Sequence, residues 1–207
     1  MVTDPKSHWE KVYTTVASDQ LGWYEPHLHT SLAMISSAGR SKDTEIIDVG
    51  GGASTLVDDL LGQGFNNITV LDLSGAALCT TQTRLSNRAS EVNWIEGDIT
   101  TIALAKAKYD IWHDRAVFHF LTQADDREKY IEKVNQSLKP GGHVIMGMFS
   151  QDAPPRCSGL PVQRYSLELL QNEFGDGFEL QEHKTELHVT PGGVEQMFLF
   201  SRLQKLG

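Results

Sequence analysis

Four apolar runs of five residues recur at 45–49, 68–72, 92–96 and 109–113, and each ends beside a glycine or a carboxylate. Helix-like stretches over 54–61 and 75–89 separate the first three runs. Short strands that alternate with helices need crossover connections, so this pattern demands a parallel sheet with right-handed crossovers and helices packed on it. The strands should lie buried in the middle of that sheet, because their apolar residues run nearly without interruption.

The flanks complete the plan. Trp9 and Tyr13 stand four apart in the segment 8–13, on one face of a predicted helix. Gly22 breaks it, residues 23–26 form a loop, and a second helix over 30–38 stops at Gly39. Beyond the core, a helix is expected over 125–138, a turn at 140–142 and a strand over 143–149. A Pro- and Gly-rich loop over 151–161 precedes a helix near 166–173. The runs 178–189 and 195–203, joined by Pro191-Gly192-Gly193, read as an antiparallel hairpin. The expected fold is one doubly wound α/β domain over 1–207, with a helical cap over 1–40, a core over 44–150 and a loop and hairpin over 151–207.

Composition narrows the partners. At 207 residues, 40% hydrophobic and 22% charged, the chain suits one globular domain. No stretch approaches the roughly 20 apolar residues of a membrane-spanning helix, and the first residues lack a secretory pattern. Two cysteines make no disulfide framework, so a cytoplasmic location is expected. A net charge of −9 argues against nucleic acid as the partner. The histidines lack metal-ligand spacing, so no metal is expected.

In such sheets, ligands bind beyond the carboxyl ends of the strands. Gly50 and Gly52 allow a tight turn and a close backbone approach after the first strand, and Asp48 places a carboxylate beside them. This loop alone also fits a nucleotide phosphate, although no Gly-Lys-Ser/Thr ending supports a P-loop. Asp72, ending the second strand, can accept hydrogen bonds from two ribose hydroxyls, as in NAD sites too. Asp98, after the third strand, either caps its own turn or meets an adenine amino group. The three carboxylates at three successive strand ends make a consistent adenosine site.

The runs Asp48-Val49-Gly50-Gly51-Gly52, Leu71-Asp72-Leu73-Ser74, Glu96-Gly97-Asp98-Ile99 and Leu138-Lys139-Pro140-Gly141-Gly142-His143 resemble, in order and spacing, the motifs of class I S-adenosylmethionine (SAM)-dependent methyltransferases. The resemblance covers residues 44–150 and implies a Rossmann-like, seven-stranded sheet whose antiparallel end is the hairpin. It implies SAM as cofactor, with Asp72 and Leu73 at the ribose, Asp98 and Ile99 at the adenine and the Gly50–Gly52 backbone at the methionine portion. Ser54 stands where many members carry a third glycine and would bring a hydroxyl near the methionine carboxylate. His113 and Asp114 would lie by the reacting methyl. The segments around Trp9, Tyr13, Trp23 and Tyr24 resemble the opening of a smaller group that includes some protein-lysine methyltransferases, where the segment closes over SAM. An aromatic lid suits a sulfonium, which is attracted to ring faces.

The acceptor side is expected among residues 112–120 and in the loop at 155–161. His113 and His119 are candidates to take a proton, and Arg115 to fix an anionic acceptor or to pair with Asp114. Arg156 and Arg164 are candidates for an acceptor carboxylate, and Cys157 for a thiol facing the site. A small nucleophile, with thiols slightly favoured, is the leading acceptor. A protein lysine is the alternative, and a NAD-dependent oxidoreductase or a non-catalytic nucleotide-binding module is more remote.

Overall fold

The structure is a computed structural model that describes residues 4–39 and 41–207; residues 1–3 and 40 of the expected cap lie outside the described residues. The chain opens with helices α1 (Pro5–Thr15) and α2 (His29–Ser37). It then alternates through β1 (Glu45–Val49), α3 (Leu56–Gly62), β2 (Asn67–Asp72), α4 (Gly75–Leu85), β3 (Val92–Glu96) and β4 (Tyr109–Arg115). Next come α5 (Ala124–Ser137), β5 (Leu138–Phe149), the two-residue strands β6 (Arg156–Cys157) and β7 (Leu160–Pro161), and α6 (Leu167–Phe174). The long strands β8 (Phe178–Val189) and β9 (Glu195–Lys205) close the fold.

Seven strands form one sheet in the order β3-β2-β1-β4-β5-β9-β8. The first five run parallel, and β9 pairs antiparallel with both β5 and β8. This is the doubly wound, Rossmann-like arrangement with an antiparallel C-terminal hairpin. Each side has its own core. Ile46 and Ile111 pack with Leu56, Leu60 and Leu78 on one face, whereas Ile47 and Trp112 pack with Tyr130, Val134 and Leu170 on the other. Neighbouring residues of one strand thus serve opposite faces, as the pleat requires.

Local chemistry starts the helices. Asp4 accepts the Ser7 N–H at 3.0 Å with Pro5 next to it, and the Ser74 hydroxyl accepts the Ala77 N–H at 3.2 Å. Of the boundaries that depart from the sequence reading, three bear on the site or on a named turn. The helix expected over 75–89 stops at Leu85, because Ser86 takes a left-handed φ of 56° and a 3-10 turn follows. The turn expected at 140–142 is absorbed into β5 as an irregularity in the pairing with β4. Strand β4 runs two residues past 113, since Asp114 and Arg115 still pair with Met146 and Gly147. That extension decides which way the candidate site residues face.

Candidate active site

The break in strand order falls between β1 and β4, and their carboxyl ends open the crevice where such sheets bind ligands. Two cavities meet there. The larger, of about 400 Å³, runs past Gly50, Asp72, Leu73, Asp98 and Ile99 to the rings of Trp9, Tyr13, Trp23 and Phe120. The smaller, of about 30 Å³, is lined by Asp48, Ser54, Tyr24, His113 and Glu25 among others. Trp23, Gly50 and Arg115 belong to both.

The glycine loop has little freedom. Gly50 has a φ of 72°, and a Cβ there would collide with the side chain of Val117. Gly52 lines neither cavity, but its N–H donates to Asp72 Oδ2 at 3.0 Å while Ser74 N–H donates to Oδ1 at 2.8 Å. The Asp72 carboxylate is therefore oriented by backbone at the wall of the larger cavity. Burial outweighs those two bonds and pushes its pKa up to about 6. Asp98 is exposed and caps its own turn, with Oδ1 accepting both the N–H and the hydroxyl of Thr100 at 2.8 and 2.7 Å. It still lines the cavity beside buried Ile99.

The lid is docked from both ends. Lys6 pairs with Glu96 at 2.5 Å, and Glu10 Oε1 accepts the Gly75 N–H at 2.7 Å, at the N-terminus of α4. The Trp9 ring meets Trp23 at 5.6 Å and Phe120 at 5.1 Å, both edge-on, and Tyr13 meets Trp23 at 5.9 Å. Arg115 fixes the second lid segment, donating to the Trp23 carbonyl and to Glu25 at 2.7 Å each. His188 Nδ1 also lies 2.9 Å from Glu25, and although burial opposes it, the bonds from His188 and Arg115 hold the Glu25 carboxyl below the usual range.

Several expected acceptor-side roles are corrected. His113 does not line the larger cavity: its Nδ1 lies 2.7 Å from Asp48 Oδ1 and its Nε2 2.8 Å from Ser31 Oγ, so neither nitrogen is free to take a proton from an acceptor. His119 is fully buried and lines neither cavity, and burial lowers its pKa to about 3, which leaves it neutral. Asp114 points to the opposite face of the sheet, where it accepts the Tyr130 hydroxyl at 2.6 Å and the Val117 N–H at 2.9 Å. Arg115 accordingly pairs with Glu25 and not with Asp114, and its terminal nitrogens are not available to an anionic acceptor. Arg164 holds the carbonyls of Gln151 and Ala153, and exposed Arg156 bonds the Gly159 carbonyl; neither lines a cavity. Cys157 does line the larger one, with burial pushing its thiol up to about 11. Tyr24 lines only the smaller.

The sequence reading gave no site role to Glu10, Ser31 or His8, and took in Phe120 only as part of the segment 112–120. His8 lines the larger cavity with a buried Nε2 that has no partner. Among the described residues no group of three or more His, Cys, Asp or Glu could hold a metal, and no helix is long and apolar enough to cross a membrane.

Residues 47–146 match the family described as a methyltransferase domain. That stretch holds the glycine loop, Asp72, Asp98 and all of β4. The chain carries a methyltransferase domain over this stretch, and its activity is that of a SAM-dependent methyltransferase. EEF1A lysine methyltransferase 2 of Danio rerio is 24% identical to it over 83% of this chain and 71% of its own. A solved structure reporting the conversion of a disulfide bond into a thioacetal group during echinomycin biosynthesis superposes with a TM-score of 0.77, at 16% identity, over 98% of this chain and 92% of that one. A Burkholderia thailandensis 1,6-didemethyltoxoflavin-N1-methyltransferase with bound S-adenosylhomocysteine superposes at 0.74, with 17% identity, over 98% and 87%. These three proteins differ in what they act on, so the acceptor of this methyltransferase has to be argued from its own cavity walls.

Proposed function

We propose that this methyltransferase methylates an amine nitrogen, and that a protein lysine is the acceptor class its lid and its relatives favour. The observation that carries the reading is the acceptor end of the larger cavity, where four aromatic rings, Trp9, Tyr13, Trp23 and Phe120, stand together and Arg115, the one Lys or Arg among the described residues that line it, turns its terminal nitrogens to the Trp23 carbonyl and Glu25. Ring faces attract an alkylammonium, and Asp126 adds a carboxylate at the wall. For a thiolate the sulfonium itself is the compensating charge and the wall adds none, because the terminal nitrogens of Arg115 already hold Glu25 and the Trp23 carbonyl. The similarity to a lysine methyltransferase over 83% of the chain points the same way.

SAM supplies an electrophilic methyl on its sulfonium. The chain's own residues supply position and dryness, which is most of what an in-line transfer needs. In this reading Asp72 accepts the ribose hydroxyls, with Ile99 and Asp98 beside the adenine. The smaller cavity takes the amino-acid end. It has room for about two water-sized groups and holds two buried polar atoms of opposite character without partners, Asp48 Oδ2 and Arg115 Nε. An ammonium fits the first and a carboxylate the second. Ser54 lines the same space. Trp23 and Gly50, common to both cavities, then flank the sulfonium. His8 is the imidazole that lines the larger cavity, and it is the group proposed to take the proton released by the amine.

Purified enzyme with tritium-labelled SAM tests the acceptor. Label should enter lysine-containing protein or a lysine peptide in preference to thiols and phenols. Label found only in small thiols would overturn the amine reading.

A further inference from the structure

Ser31, His113 and Asp48 form a hydrogen-bonded row that the transfer step does not use. Asp48 and His113 are direct partners in the β1–β4 pairing, so their side chains stand side by side on one face. His113 Nδ1 lies 2.7 Å from Asp48 Oδ1 and Nε2 2.8 Å from the Ser31 hydroxyl of helix α2; the tautomer that donates from Nδ1 to Asp48 leaves Nε2 to accept from Ser31. All three residues are 2% exposed or less. The same residue types in this order activate a nucleophile in hydrolases. Here Ser31 lines neither cavity, so it has no access to a substrate.

The row ends at an oxygen with work to do. Asp48 Oδ2 is buried and without a partner, and Asp48 lines the smaller cavity. A Cβ on residue 51 would collide with that oxygen, so Gly51 is what leaves room for it. An Asp carboxylate left alone turns readily about its last torsion, which is broad and roughly two-fold. A bond to one oxygen, braced from behind, removes that freedom.

We propose that His113, backed by Ser31, is a positioning residue: it locks the Asp48 carboxylate so that Oδ2 faces the smaller cavity and receives the ammonium of the cofactor's amino-acid end. The inference rests on the reading of that cavity as the amino-acid subsite. It makes cofactor affinity depend on a helix residue that lines neither cavity, acting through a strand residue at the wall of the smaller one. It also gives His113 a place at the amino-acid end, where the sequence suggested the reacting methyl and proton transfer.

Two ligands separate positioning from general support of the fold. S-Adenosylhomocysteine carries the amino-acid end, and 5′-methylthioadenosine lacks it. Calorimetry on His113→Phe should show affinity for S-adenosylhomocysteine falling by about tenfold or more, with methylthioadenosine within about twofold. His113→Gln should recover most of the loss, since its amide can donate to Asp48 and accept from Ser31. Ser31→Ala should show a smaller loss with the same ligand preference, and it decides the matter if His113→Phe does not fold. Equal weakening of both ligands in Ser31→Ala and His113→Phe, or no weakening of S-adenosylhomocysteine, overturns the proposal. Asp48→Asn is the control on its foundation. If this variant leaves the ratio of the two affinities unchanged, the subsite reading itself is wrong; if it shifts the ratio and the His113 and Ser31 variants do not, only the positioning role is wrong.

Discussion

The larger cavity is walled mainly by aromatic and aliphatic side chains, whereas the smaller is lined by charged groups tied into hydrogen-bonded rows. Their two carboxylates sharpen the contrast. Asp72 has each oxygen held by a backbone N–H, so its orientation survives side-chain changes nearby. Asp48 has one oxygen held by a side chain and the other without a partner. A cavity built on backbone bonds tolerates substitution around it, and one built on side-chain bonds can be retuned from a distance.

The severest break of this comparison is Asp72→Ala. It removes the proposed ribose acceptor and also orphans the N–H groups of Gly52 and Ser74, so affinity should fall for both S-adenosylhomocysteine and methylthioadenosine. The loss expected by calorimetry is on the order of 100-fold, since hydrogen bonds to a charged group are each worth about 1.5–3 kcal/mol. A loss confined to S-adenosylhomocysteine would place the ribose elsewhere.

Proton linkage gives a second, gentler handle. Burial raises the Asp72 carboxyl from 3.8 to about 6, so the folded, ligand-free protein prefers it protonated. Its contribution to stability is therefore present below 3.8 and lost as pH rises through about 6. Ligand binding runs the other way, because ribose hydroxyls donate to the ionised form. Affinity for either ligand should be about tenfold weaker at pH 5 than at pH 7, while Asp72→Asn should flatten the dependence. Asp114, also raised to about 6 by burial, titrates in the same window and is unaffected by that variant. An unchanged slope in Asp72→Asn would assign the effect to Asp114 or to another group.

The elements that frame the larger cavity were legible in the sequence because their signals are local. A glycine that must turn, a carboxylate at a strand end and a run of apolar residues before it all fall within a few positions, and β1 and β3 begin and end where the sequence places them. The acceptor half was misread for a reason also present in the sequence. Along 111–115 the pleat sends Ile111, His113 and Arg115 to one face and Trp112 and Asp114 to the other, so His113 and Asp114 could not both face one reacting group. What no local pattern could show is the partner of each. Arg115 pairs with Glu25 across 90 residues, and His113 meets Ser31 across 82. His119 gives no sequence sign of the burial that keeps it neutral.

The mildest prediction concerns the joint between lid and core. Glu10 is the side chain by which α1 caps α4, with Oε1 at 2.7 Å from the Gly75 N–H and Oε2 at 3.4 Å from that of Ala76. These are among the N–H groups that a helix leaves without internal partners, and the helix dipole adds to the attraction for a carboxylate. Ser74 caps the same helix from its own chain, so α4 itself survives the loss of Glu10. Glu10→Ala should cost about 1 kcal/mol, seen as a drop of about 2–4 °C in Tm. Lys6–Glu96 still holds the other end of α1, and its exposed ion pair is worth little. The lid should then open more often, raising KM for SAM by about two- to threefold with less change in kcat. Glu10→Gln keeps a hydrogen-bond acceptor while losing the charge, and should fall between the two. Were Glu10→Ala to cut kcat sharply at an unchanged Tm, Glu10 would be acting on the reacting groups and not as a clasp.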